Sequence, residues 1–86
     1  MIGATEILQT MAAAGGHIEV LRGPTDEYIT VCRPERTALL HGFLPRAILE
    51  DFLNARLVRQ DGPEDDRRVT FFRLTNDGRM QGRLRR

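Results

Sequence analysis

Between residues 4 and 14 the apolar positions recur at helical spacing. Ile7, Leu8 and Met11 share one face, with Ala4 and Ala12 beside them, which is the stripe of a helix that buries one side. Thr5 is suited to cap a helix running from Glu6 to about Ala14. Gly15-Gly16 then stops it, because glycine takes left-handed backbone without steric cost. Next the period changes to two. Ile18 and Val20 share a face, and so do Ile29 and Val31, while Gly23-Pro24-Thr25-Asp26 between them carries turn chemistry. Residues 17–22 and 27–33 are therefore predicted as a β-hairpin, with Tyr28, Thr30 and Cys32 on the other face of its second strand.

Pro34 and Gly42 bracket a short segment, and their placement favours a helix over residues 35–41. The run Thr37-Ala38-Leu39-Leu40 also permits a strand end. Pro45 suits the first helical position and opens a helix to Ala55. Its inner face is Ile48, Leu49, Phe52 and Leu53. Its wet side is Arg46, Glu50, Asp51 and Asn54. Residues 57–60 are predicted as a strand and residues 61–66 as a loop broken by Asp-Gly-Pro. Residues 68–74 form the return strand, with Val69 and Phe71 on one side and Thr70 and Phe72 on the other. Thr75 can cap a last helix over Asn76 to about Leu84, with Asp77 in its favourable first turn. Met80 and Leu84 give that helix a narrow apolar stripe. Gly78 and Gly82 each cost about 1 kcal/mol against Ala, which predicts fraying.

Composition adds bounds rather than chemistry. A chain of 86 residues, 41% hydrophobic and 29% charged, makes one small soluble domain. No apolar run approaches the roughly 18 residues of a membrane span, and the start has no basic region of a secretory signal. One cysteine, Cys32, excludes an internal disulfide framework. Together these predict a cytoplasmic protein. Net charge is +1, but it is unevenly spread. Residues 1–55 hold 4 Arg and 7 acids, whereas residues 56–86 hold 9 Arg and 5 acids. All 13 cations are Arg, which suits bidentate phosphate contact and which a GC-rich coding bias also produces.

The helix from Pro45, the strand beginning Leu57-Val58 and the exit Phe72-Arg73-Leu74-Thr75-Asn76-Asp77-Gly78-Arg79 resemble the winged helix-turn-helix superfamily of bacterial regulators, many of which leave the wing through a similar Leu-Thr-x-x-Gly-Arg. The resemblance covers about half the chain. It implies an α+β, winged-helix-like fold: N-terminal helix, β-hairpin, helix-turn-helix, two-stranded wing and short C-terminal helix. The first half departs from that pattern, since regulators of this kind usually carry helices where this chain places its hairpin. Gly15-Gly16-His17-Ile18, Leu39-Leu40 and Leu57-Val58 are similar to small YjhX-type bacterial proteins, described as toxin-like. Those positions are structural and carry no toxin activity across.

In a winged helix the helix before the wing enters the major groove and the wing meets backbone or minor groove. The resemblance thus implies DNA binding, with Arg46 and Asn54 on base edges and Arg67, Arg68 and Arg59 on backbone. Glu50 and Asp51 on the same helix oppose phosphate approach. They support an alternative, a protein-interaction adaptor whose acidic helix face docks a basic partner. Arg79, Arg83, Arg85 and Arg86 are further candidates for phosphate contact, although terminal arginines are commonly just solvated. A homodimer is expected; the stripe of the N-terminal helix is read as core, with a dimer seam as its alternative. Catalysis has no footing. Glu50 and Asp51 are adjacent on a helix and do not face each other, and serine is absent. His17, His41 and Cys32 lack the spacing of metal ligands. Neither metal nor cofactor is expected.

Overall fold

The structure, a computed structural model, describes residues 3–83. The chain orders itself as α1 (Ala4–Ala14), β1 (His17–Arg22), β2 (Glu27–Cys32), α2 (Arg46–Asn54), β3 (Val58–Gln60), β4 (Val69–Leu74) and α3 (Asn76–Arg83). It is an α+β fold in which the strands form one antiparallel sheet of order β2-β1-β4-β3. The period-two segments became strands with their alternation intact. Ile18 pairs with Val31 and Phe72, and Val20 with Ile29 and Thr70. One sheet face therefore holds Ile18, Val20, Ile29 and Val31, joined by Val58 and Leu74. Ile7, Leu8 and Met11 of α1 and Leu49 and Phe52 of α2 close over that face, removing a continuous apolar surface from water.

Local chemistry explains the element ends. Gly15 takes left-handed φ at 66°, and the amide of Gly16 donates to Met11 O at 2.8 Å, which closes α1 as expected. Its start differs. Gly3 rather than Thr5 is the cap residue, because the Glu6 carboxylate reaches back to the Gly3 amide at 3.4 Å and a first-turn acid is favourable there. Thr75 caps α3 as expected, its Oγ1 accepting from the Gly78 amide at 2.9 Å. Leu84, Arg85 and Arg86 lie outside the described residues, so the expected apolar role of Leu84 and the phosphate contacts of the last two arginines fall there too.

Two further expectations are corrected. Residues 35–41 form no helix. The segment instead follows the outer edge of β2, with Leu39 N donating to Val31 O at 2.8 Å and Ala38 bridging Cys32, the strand-end alternative that the apolar run allowed. Arg36 turns the chain with φ 72°, a geometry no helix contains. Among the described residues no helix precedes α2 closely enough to make a helix-turn-helix. Second, α3 is not held by Met80, which is 62% exposed. It packs through its glycines. A Cβ on Gly78 would lie 1.9 Å from Leu57 O, and one on Gly82 would lie 2.6 Å from Ala12 Cβ. Missing side chains thus let α3 approach the β3 entry and α1 backbone to backbone.

Candidate nucleic-acid interface

The helices cover one face of the sheet and leave the other, the open face, free of helices, although His17, Cys32 and Val69 on it are buried. Cross-strand register assigns that open face: His17, Glu19 and Leu21 of β1; Tyr28, Thr30 and Cys32 of β2; Val69, Phe71 and Arg73 of β4; Arg59 of β3. Tyr28 is 40% exposed and Leu21 45%. Phe43, from the segment along β2, is 65% exposed and lies with its ring 5.2 Å from that of Tyr28. These residues, with Glu19, Thr30, Val69, Arg36 and Arg67, line a shallow basin.

Ion pairs fix part of the rim. The Arg36 guanidinium donates to both oxygens of Glu19, at 3.0 and 3.1 Å, and sits 4.9 Å over the Phe71 ring. Burial pushes the Glu19 carboxyl up, but hydrogen bonds and charge from Arg36 and His17 outweigh it and hold the group below the ordinary carboxylate range. Arg73 donates to Asp61, and that bond depresses the Asp61 carboxyl. Asp65 organises the β3–β4 loop, its Oδ1 accepting from the amides of Arg67 at 2.8 Å and Val69 at 2.9 Å. Arg22 pairs with Glu64 of the same loop at 2.7 Å.

The five residues expected to contact nucleic acid do not gather on one surface. Arg46 and Asn54 belong to α2, in the helical layer. Arg46 is engaged there, pairing with Glu27 at 3.1 Å and with Glu50 at 3.3 Å. Asn54 is exposed at the helix end. Arg59 and Arg67 belong to the open side of the sheet. Arg68 takes left-handed φ at 65° beside Arg67 in the loop. Arg59, Arg67 and Arg68 are exposed and form no ion pair among the described residues. The expected ribbon is present, since β3 pairs antiparallel with β4, but β4 also pairs with β1. The ribbon is therefore the far side of a larger sheet rather than a free-standing flap.

Sequence patterns missed the aromatic pair Tyr28 and Phe43 as a surface feature. Alternation did place Tyr28 opposite the core face, and that was the available signal. Phe43 offered none, because its position depends on the path of residues 37–44 along β2. Patterns also missed the company of His17. The hairpin register sets His17 against Cys32, residues with no motif spacing between them. Comparison with protein-family models, with curated proteins and with solved structures finds no match to this chain.

Proposed function

We propose that the domain is a non-catalytic nucleic-acid-binding module that works through the open sheet face and the β3–β4 ribbon. The observation that carries this is the company the unpaired arginines keep. Arg67, which forms no ion pair among the described residues, lines the same helix-free basin as Tyr28 and Phe43, and Arg59, likewise without an ion pair, lies on β3 toward the opposite edge of that sheet face. Arginine supplies sequence-independent attraction to phosphate, and exposed rings offer stacking platforms to unpaired bases. Arg68 adds charge at the ribbon tip. Such a surface favours strand-separated nucleic acid, DNA included, over a closed duplex whose bases are already stacked. In the winged-helix interpretation α2 would be the reading element. Its Arg46 is occupied by Glu27 and Glu50, so the wing is the stronger half of that interpretation.

Fluorescence anisotropy with a labelled single strand and the matching duplex, each at low and physiological salt, tests the proposal. The single strand is expected to bind more tightly, with affinity falling steeply as salt rises. A response flat in salt, or no binding at low salt, would sink it.

A second reading rests on the same Arg46 pairings. They neutralise the one cation on the outer side of α2, so Glu50 and Asp51 leave that side acidic. A basic protein partner fits such a surface, and an adaptor role is its consequence. Glu50→Gln with Asp51→Asn would weaken that partner and leave oligonucleotide binding intact. Self-association remains part of the proposal. Leu21, Tyr28 and Phe43 are the exposed apolar groups a second copy would cover, so sedimentation of wild type against Phe43→Ala separates a dimer seam here from one along α1.

A further inference from the structure

The hairpin register gathers three ligand-type side chains on the inner part of the open face. His17 faces Cys32 across the β1–β2 pair, and Glu19 follows two residues later on the same side. A nitrogen of His17, a carboxylate oxygen of Glu19 and Sγ of Cys32 all lie within 4.8 Å of one another. His17 is 4% exposed and Cys32 5%. His17 Nε2 carries the contact to Glu19, while Nδ1 is buried with no hydrogen-bond partner among the described residues. An imidazole, a thiol and a carboxylate are the donor set that suits a borderline-soft divalent ion. We propose that His17, Glu19 and Cys32 form a binding site for a zinc-like divalent cation, with a fourth position facing the basin.

The geometry needs modest movement. Tetrahedral bonds of about 2.3 Å to sulfur and 2.0–2.1 Å to nitrogen or oxygen set ligand atoms roughly 3.3–3.7 Å apart. The His17–Glu19 contact at 2.8 Å would open, and the sulfur would draw inward. Of the three ligands Glu19 alone lines the basin, beside Thr30 and Arg36, so the fourth position would open past its carboxylate. Binding expels the thiol proton to solvent and leaves a metal–thiolate bond. Thr30 Oγ1 stands 3.5 Å from the sulfur, and Arg36 Nη2 holds Glu19 Oε1 at 3.1 Å. Both are supports of the kind that orient ligands. Arg36 also opposes the ion. Its Nε occupies Glu19 Oε2 at 3.0 Å, and its charge repels a cation. Arg36 therefore sets the affinity, competing for one carboxylate oxygen.

The test uses the full chain stripped of metal by chelation and titrated with cobalt(II). A near-ultraviolet thiolate-to-cobalt charge-transfer band is expected, displaced by zinc and lost in Cys32→Ser. Glu19→Gln is expected to weaken cobalt by at least the roughly tenfold that loss of an outer-shell partner costs, and Arg36→Gln to strengthen it. Should Cys32→Ser fail to fold, wild type still answers, because a ligand bound only by the native state raises the melting temperature. A folded wild-type chain with no band and no zinc-dependent rise in melting temperature overturns the site. So does a band that survives Cys32→Ser or keeps its affinity in Glu19→Gln. Weaker cobalt binding in Arg36→Gln would overturn the competing role given to that residue.

Discussion

At the scale of single residues, Thr75 concentrates the most structure. Its amide donates to Leu57 O at 3.0 Å, its hydroxyl donates to Arg56 O at 2.6 Å, and the same oxygen accepts from the Gly78 amide at 2.9 Å. One side chain thus caps α3 and ties it to the end of α2. Thr75→Ala is expected to cost about 1–2 kcal/mol in urea unfolding, and Thr75→Ser to restore most of it. Asp61 offers a prediction in pH. Its bond from Arg73 lowers its folded-state value, so the stabilisation is present above the unfolded carboxylate value and fades as pH falls through the folded one. In an NMR titration the Asp61 midpoint is expected to rise when Arg73 becomes Gln; an unmoved midpoint would show the pair to be idle in solution. At this scale the sequence was legible where a residue acts on its own backbone. Thr75, Gly15 and Pro45 each announced an element end. Arg36 and His17 were opaque, because their roles depend on Glu19 and Cys32 in other segments or across a strand pair.

At the scale of elements, α3 reverses an argument from propensity. Glycine in a helix costs about 1 kcal/mol relative to alanine, so Gly78→Ala and Gly82→Ala would stabilise an isolated helix. Here the added methyl meets Leu57 O in one case and Ala12 Cβ with Leu8 O at 2.8 Å in the other. Backbone cannot yield as a flexible side chain does, and overpacking of this kind costs about 1–3 kcal/mol. Both variants are therefore expected to lower the urea midpoint, the opposite sign to the propensity effect. If either raised it, the close approach of α3 would be refuted. The turn after α2 predicts the reverse. Arg56 holds φ 60° while its amide donates to Leu53 O and that of Leu57 to Phe52 O, a helix ending that favours glycine. Arg56→Gly is expected to gain roughly 0.5–1 kcal/mol by relieving left-handed strain. Strands and long helices were legible because burial imposes a period on them. The missing helix at residues 35–41 was not, since its capping residues fit a turn equally well and the edge of β2 supplied the competing hydrogen bonds.

At the scale of the whole molecule, the sheet places Arg46 on one side and Arg59 and Arg67 on the other. The helical side carries Arg46, Glu50 and Asp51 on α2 with Arg79 and Arg83 on α3; the open side carries Arg67 beside Tyr28 and Phe43, Arg59 on β3, and Arg36 and Arg73 paired with Glu19 and Asp61. A net charge of +1 conceals that division, and the helix-with-wing pattern joined residues that a sheet in fact separates. The separation makes the proposed function testable by contrast. Removing a phosphate contact reduces the dependence of log affinity on log salt by about 0.7 for a single strand. Arg59→Gln combined with Arg67→Gln should therefore flatten that slope by about 1.4 and weaken all sequences alike, because phosphate contacts carry no sequence information. Arg46→Gln should leave the slope unchanged, since its guanidinium already serves Glu27 and Glu50. Phe43→Ala should weaken the single strand at every salt concentration without altering the slope, as stacking releases no counterions. If Arg46→Gln alone flattened the slope, α2 would be the contacting element and the open face would lose its claim.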